Sequence, residues 1–250
     1  MRIERKIAAS VTVLGSLLLA LSSGVPALAN SGPSARSAHV IGARFATANA
    51  TSTAFGGWAF GAAGAKSVTS EFKVPKLKCT SATTGAGPSS IMFTNSNSDA
   101  NLAGVLTVCS SGSPLLIPTV TVNNTETNGT ETVTAGDLMK ATVVTTATKT
   151  TSTLTDLTHK FTLTKSATSA GAASEELIGD TAVLVNGTQV GVAKFGTITF
   201  TNCAISGKAI GAVKPQTAVN METSTKVLQI LTGKITGTKK NQFTTTWKHS

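Results

Sequence analysis

Apolar and polar residues alternate along much of the chain in short segments, the pattern of strands that bury one face. Residues 67–74 alternate up to Pro75, and residues 154–164 alternate throughout. The apolar run 182–185 ends at Asn186-Gly187, the strongest hairpin signal in the sequence. Further strands are predicted at 104–108, 117–122, 138–146, 195–201, 227–231 and 243–247. About a dozen short, regularly spaced strands without a convincing helix predict an all-β fold, a two-sheet antiparallel β-sandwich.

The first residues have the three-part pattern of a secretory signal peptide. Charged residues at positions 2–6 precede an apolar stretch over 7–21, and Ala27-Leu28-Ala29 provides a small-residue cleavage site. A transmembrane anchor is the less favoured alternative, because the apolar run is short and is followed by Ser-Ser-Gly and Pro. The sequence therefore predicts a signal peptide over 1–29 and a secreted or extracellular protein.

The remaining chain divides at about residue 55. Residues 30–54 are rich in Ser, Ala, Gly and Thr and have no periodic pattern, so we predict a flexible leader or propeptide remnant. Residues 55–250 carry the strand pattern and form the predicted β-sandwich domain. With 40% hydrophobic residues in 250, the chain can bury a core and is not disordered.

Composition narrows the possible partners. About one residue in six is Thr, which favours strands. The net charge of +10 falls to +8 without residues 1–29, but the lysines are scattered and no aromatic residues lie among them, which argues against specific nucleic-acid binding. The charge favours loose attraction to an anionic cell-surface polymer. With no Tyr and only 4% aromatic residues, a carbohydrate-binding site is disfavoured.

Cysteine and histidine are few. After export, we predict a disulfide between Cys79 and Cys109, which leaves Cys203 unpaired. There is no Cys-x-x-Cys, and the three histidines are far apart without ligand spacing, so we predict no metal and no cofactor. A Ser–His–Asp site built on Asp156 and His159 is disfavoured because the sequence has no Gly-x-Ser-x-Gly elbow.

Several segments, in order, resemble the glutamic peptidases, the eqolisin or G1 family formerly called A4. Gly57-Trp58-Ala59 followed by the 68–75 strand is similar to the family opening, and 133–137 resembles its Gly-Asp turn. The segment 193–202, with Phe-Gly-Thr-Ile-Thr-Phe-Thr-Asn, is the closest match. Residues 221–228 and 243–247 resemble the closing strands. The resemblance covers about 55–248 and implies the concanavalin-like, eqolisin-like sandwich of two large curved sheets.

The resemblance also implies a Gln–Glu dyad that hydrolyses peptide bonds in acid. The glutamate is a general base and the glutamine amide stabilises the oxyanion, so both side chains must project from one sheet face. In Ser174-Glu-Glu-Leu-Ile-Gly-Asp180, Glu176 matches the glutamate of the family's Ala-Glu-Trp-Ile-x-Glu strand, and Asp180 matches its second carboxylate. A one-residue slip would exchange the roles of Glu175 and Glu176. The alternative without catalysis is that these acids form a solvated edge or hairpin.

The glutamine is missing. The family's Leu-Gln-Thr-Gly-Val motif matches residues 101–105, which places Leu102 at the glutamine position. Asn101 could substitute only if the register shifted. Trp58 keeps the family position in the substrate site, but two aromatic strands of the family are replaced by the more aliphatic 90–94 and 115–122.

Together with the signal peptide, these substitutions predict a secreted glutamic-peptidase-like protein that is catalytically impaired and acts as a binding or cell-surface module, with a polypeptide as substrate or ligand. The alternative is an active acid endopeptidase with Glu176 as general base.

Overall fold

The computed structural model describes residues 49–185 and 188–249, with two short segments at 11–12 and 16–17. The predicted signal peptide and most of the predicted leader therefore lie outside the described residues. Within the described part, no helix is both long and apolar enough to cross a membrane.

The described chain is built almost entirely of strands, with one 3-10 turn at Ile210–Ala212. The strands are β1 (Val11–Thr12), β2 (Ser16–Leu17), β3 (Asn49–Ser52), β4 (Phe55–Phe60), β5 (Ser67–Lys73), β6 (Thr84–Thr94), β7 (Asp99–Ser110), β8 (Ser113–Val122), β9 (Thr125–Asn128), β10 (Leu138–Thr145), β11 (Lys149–Asp156), β12 (Thr162–Thr168), β13 (Ala173–Thr181), β14 (Leu184–Val185), β15 (Thr188–Gln189), β16 (Gly191–Val192), β17 (Thr197–Ile205), β18 (Lys208–Ala209), β19 (Gln216–Glu222), β20 (Leu228–Thr232) and β21 (Phe243–Trp247).

The main strands form two packed, largely antiparallel layers, as the sequence predicts. The first layer has the order β12–β11–β10–β5–β17–β21, and the second has the order β3–β19–β4–β13–β6–β7–β8–β9. Strand β20 pairs with both β19 and β21 and joins the layers at one side. Strands β10 and β11 of the first layer lie over β7 of the second, and β5 lies over β6. The fold is therefore the predicted antiparallel β-sandwich.

The main core lies between the layers. Alternation sends Phe72 and Phe200 inward from the first layer, with ring centroids 5.7 Å apart, and Phe200 stacks on Phe243 at 4.9 Å. Phe60 and Met92 enter the same core from the second layer. Each of these side chains is fully buried. Burial of a large apolar side chain is worth about 1.5–3 kcal/mol, so this seam supplies much of the stability.

The second layer is buried on both faces, which the sequence pattern does not reveal. Strand β6 is absent from the strands predicted from periodicity, and β7 is twelve residues long where five are predicted. Nearly every residue of β6, β7 and β13 is buried, so both faces of these three strands are covered, and the buried residues include Glu175, Glu176 and Asp180. Alternation disappears when neither face meets water.

The predicted strand 154–164 is interrupted. Strand β11 ends at Asp156 and β12 begins at Thr162. The Asp156 carboxylate accepts the backbone N–H groups of Thr158 and His159 at 2.7 and 2.8 Å, which forms a side-chain-capped turn. The predicted single strand over 154–164 is therefore two strands, β11 and β12, joined by this turn.

A disulfide joins Cys79 and Cys109, with their Cα atoms 5.3 Å apart. It ties the segment after β5 to the end of β7. Cys203 is buried and unpaired. Strands β14 and β15 pair around positions 186 and 187, where the sequence predicts a hairpin; those two residues lie outside the described part.

Candidate functional site

Strand β13, which carries the candidate carboxylates, lies in the middle of the second layer between β4 and β6. Glu176 is opposite Phe60 on β4 and Met92 on β6. Directly opposite residues in an antiparallel pair project to the same face. Because Phe60 and Met92 belong to the main core, Glu176 also points between the layers. Asp180, four residues further along β13, shares that face.

Glu176 is completely buried. Its Oε2 accepts the backbone N–H of Ala62 at 3.2 Å, and Oε1 has no hydrogen-bond partner among the described residues. Burial raises the pKa of Glu176 to about 8, and the bond from Ala62 offsets this only in part. The side chain is therefore mostly a neutral carboxylic acid below pH 7.

Asp180 is also completely buried, and burial raises its pKa to about 7. The Thr245 hydroxyl lies beside the carboxyl group and lowers that pKa in part. Neither oxygen of Asp180 has a hydrogen bond of good geometry within the described residues. Asp180 and Glu176 thus lie in the interior, where both are mostly protonated in acid, rather than at the solvated edge that the sequence offered as an alternative.

Leu102 lies on the opposite face of the same sheet. It is opposite Ile91 on β6, and Ile91 is opposite Leu177 on β13, so the three side chains form one row. All three are buried in a separate apolar cluster with Phe55. The expectation that Glu176 and position 102 project into one cleft is wrong for this register. Successive side chains in a strand point to opposite faces of the sheet. Because the row of Leu102 is one residue away from the row of Glu176, the two side chains lie on opposite sides of the sheet.

On the Leu102 face, β13 presents Glu175, Leu177 and Gly179. Glu175 is opposite Phe93 and is 6% exposed, and Asn97 Nδ2 donates to its Oε2 at 3.5 Å. Burial, with a smaller contribution from the negative charge of Glu176, raises the pKa of Glu175 to about 8. Among the described residues of β13, Glu175 is thus the one carboxyl group on the face of position 102.

Gly179 holds a position where no side chain fits. A Cβ there would overlap the carbonyl oxygen of Gly56 and the Cα of Gly57 on β4. The close approach of β4 and β13 therefore excludes any functional group at this point of the Leu102 face.

Asn101 shares the inner face with Glu176, but its amide is already engaged. Residues 176, 92 and 101 form one row across three strands, which places Asn101 roughly 10 Å from Glu176. The Asn101 Nδ2 donates to Met92 O at 3.1 Å and Thr94 Oγ1 at 3.2 Å, and its Oδ1 accepts the N–H of Asn123 at 2.9 Å. This amide cannot also bind an oxyanion beside Glu176.

Trp58, predicted in the substrate site, packs at the edge of the main core. It is opposite Ile178 and Ala218, and its Nε1 donates to Gly233 O at 3.0 Å. Its indole N–H is thus used to hold the segment after β20.

A groove of about 1040 Å³ opens away from these residues, between β8 and the segment 126–135. Pro75 and Leu77 form one wall and Leu115 and Pro118 another. Glu126 and Glu131, from the 126–135 segment, also line the groove. None of the described residues that line the groove is aromatic, so they offer aliphatic contacts and a few polar groups.

His159 is in contact with two aspartates. Its Nδ1 lies 3.1 Å from Asp156 Oδ2 and 3.3 Å from Asp137 Oδ2. Among the described residues no serine accompanies this pair, so a Ser–His–Asp arrangement is not formed. The sequence missed the convergence because Asp137 is 22 positions before His159 and reaches it only through the β10–β11 pairing.

The fold defines a class, the glutamic-peptidase-like β-sandwiches. Residues 53–247 match the peptidase A4 family, and the chain belongs to that family. The fold is similar to scytalido-glutamic peptidase in complex with a transition-state analogue inhibitor, at 16% identity and a TM-score of 0.62, covering 78% of this chain and 98% of that one. Among curated proteins, none matches the sequence.

Two further solved structures share the fold. SCP-B, a member of the eqolisin family in complex with the tripeptide Ala-Ile-His, is 14% identical with a TM-score of 0.59, covering 78% of this chain and 98% of that one. Aspergilloglutamic peptidase from Aspergillus niger is 17% identical with a TM-score of 0.52, covering 66% of this chain and 99% of that one. At these identities the likeness concerns the fold.

Proposed function

We propose that this chain is a secreted member of the family that has lost efficient peptide hydrolysis and acts as a binding or cell-surface module. The predicted signal peptide over 1–29 supports export. The observation that best supports the proposed loss of catalysis is the position of Glu176. It is sealed between the layers, on the face opposite Leu102.

The chemistry agrees with this reading. A general base must be ionised, but a carboxyl group with a pKa of about 8 is ionised in only about one molecule in ten thousand at pH 4. Leu102 offers no hydrogen-bond donor, and the loss of one oxyanion donor costs on the order of 100- to 1,000-fold in rate. Neither half of the family dyad is therefore available in acid.

The alternative is an active acid endopeptidase with Glu176 as general base. Strongly shifted pKa values at Glu175 and Glu176 favour it, since such shifts cluster at catalytic sites. A base that acts on the face of position 102 would instead be Glu175, because Glu175 lies on that face and Glu176 does not.

We propose a polypeptide as the ligand. The scytalido-glutamic peptidase and SCP-B structures contain a peptide-based analogue and a tripeptide, respectively. The aliphatic groove beside β8 suits an extended, proline- or leucine-containing segment better than a sugar, which aromatic faces usually hold. An anionic cell-surface polymer is supported by the net charge alone.

The test is a protease assay with denatured casein from pH 2 to pH 8. The wild-type chain is compared with Glu176→Gln and Glu175→Gln, since an amide matches the shape of the protonated acid and keeps the fold. We expect no cleavage by any of the three at any pH, with circular dichroism showing that each is folded. Cleavage by the wild type that is lost in either variant would establish the active alternative and identify its base.

A further inference from the structure

The strongest unassigned cluster lies at the base of the β10–β11 hairpin in the first layer. Asp137 immediately precedes β10, and Asp156 is the last residue of β11. Because the strands are antiparallel, with Met139 opposite Asp156, the start of one lies beside the end of the other. His159, in the turn that follows β11, folds back over both carboxylates.

The two carboxylates are buried while the histidine is accessible. Asp156 is completely buried and Asp137 is 4% exposed, whereas the His159 side chain is 53% exposed. Both contacts go to one atom, the His159 Nδ1, at 3.1 and 3.3 Å. One proton on Nδ1 can complete a good hydrogen bond to only one carboxylate oxygen, which leaves the other contact without a hydrogen bond.

The surrounding backbone fixes the direction of each carboxylate. Asp156 Oδ1 accepts the N–H groups of Thr158 and His159, which turns Oδ2 toward the histidine. Asp137 accepts the N–H of Thr134 at 2.7 Å and the Thr134 hydroxyl at 3.0 Å. Outer-shell hydrogen bonds of this kind orient ligands at metal sites.

No basic side chain balances the pair. Among the described residues, the ion pairs of Asp137 and Asp156 are those with His159, and no lysine or arginine comes within 4 Å. Within the described part of the chain, the hydrogen-bond partner of Asp156 Oδ2 is His159 Nδ1. The cluster thus combines two fixed, buried carboxylates with one imidazole nitrogen at a partly open surface.

We propose that Asp137, Asp156 and His159 bind a divalent transition-metal ion, with Zn²⁺ as the best match, through one oxygen of each aspartate and the histidine Nδ1. Zn²⁺ bonds to imidazole nitrogen and carboxylate oxygen at about 2.0–2.2 Å, so tetrahedral ligands lie about 3.3–3.5 Å apart. The observed nitrogen–oxygen separations are within a few tenths of an ångström of this, and all three ligand atoms lie within 4.8 Å of one another. An imidazole among the ligands favours Zn²⁺ over Mg²⁺ or Ca²⁺.

Three protein ligands leave a fourth position for water or an added ligand on the exposed side of the histidine. Thr134, which holds Asp137, also lines the groove beside β8. The proposed ion would therefore fix one end of the groove wall in addition to clamping the hairpin.

The experiment is a titration of the full, tag-free chain with Zn²⁺ by calorimetry and with Co²⁺ by visible absorption, which reports tetrahedral coordination. We expect one ion per chain for the wild type. The affinity should fall at least tenfold in His159→Ala, which folds because the side chain is exposed. The matched control, His39→Ala combined with His249→Ala, should bind like the wild type.

A folded wild-type chain that binds neither ion would overturn the proposal. The cluster would then be only an ion pair between His159 and the two aspartates. Equal affinity of His159→Ala and the wild type would also overturn it, by placing the ion elsewhere. As a second readout, saturating Zn²⁺ should raise the thermal midpoint of the wild type and of the control, but not that of His159→Ala.

Discussion

Two neutral acids inside the sandwich should make this protein less stable as the pH rises. Glu176 and Asp180 have ordinary pKa values of 4.5 and 3.8, and burial raises these to about 8 and about 7. Between the unfolded and folded pKa values, the folded chain holds protons that the unfolded chain releases. The stabilisation is therefore complete below about pH 4 and is lost as the pH rises through 7 to 8.

The size of the effect follows from the shifts. Each is about three pKa units, and one unit corresponds to about 1.4 kcal/mol, so each group costs up to about 4 kcal/mol at pH 8 compared with pH 4. Water penetration and relaxation around an ionised group reduce this, so we expect a combined loss of a few kcal/mol. That is a large share of the stability of an ordinary domain.

The measurement is urea unfolding at several pH values from 4 to 8, comparing the wild type with the double variant Glu176→Gln, Asp180→Asn. Amides keep the size of the neutral acids and do not ionise, so the decline in the free energy of unfolding should be much smaller in the variant. Glu175 and His159 also have raised pKa values and contribute in the same direction, so the difference between the proteins is the decisive quantity. A matched change at the exposed Glu131, Glu131→Gln, should leave the slope as in the wild type. An equal slope in the double variant and the wild type would refute the reasoning.

Three further predictions follow from the register and the packing. Leu102→Gln should not restore casein cleavage and should lower the free energy of unfolding by about 1–3 kcal/mol, because the amide enters an apolar cluster; activity in this variant would contradict the placement of position 102. Replacing Cys79 and Cys109 by Ser should cost about 2–4 kcal/mol in urea unfolding, because the bond closes a loop spanning 30 residues, and an unchanged midpoint would count against the disulfide. Gly179→Ala should destabilise strongly by thermal unfolding, because its Cβ would overlap the β4 backbone. Gly112→Ala meets no atom within 4 Å and should cost only the strain of its left-handed backbone, about 1–2 kcal/mol. Equal losses would contradict the close approach of β4 and β13.

The first layer was readable from the sequence because it buries one face. In β5, β10, β11 and β17 buried and less buried positions alternate, as the pattern predicts. The family resemblance also located β13 and its acids. The strands of the second layer were harder to predict, because β6, β7 and β13 are buried on both faces and their sequences show no alternation of apolar and polar residues.

By itself, then, the sequence determined the class of fold and the family. It also led to the prediction that Leu102 stands at the family's glutamine position. The tertiary structure decided which side chains meet. The pairing of β13 with β6 and of β6 with β7 puts Leu102 in the row of Leu177, so Leu102 and Glu176 lie on opposite faces of the sheet. The pairing of β10 with β11 brings Asp137 to His159. Register is fixed by packing and hydrogen bonding between strands that are distant in the sequence, and a shift of one residue reverses the face of every side chain.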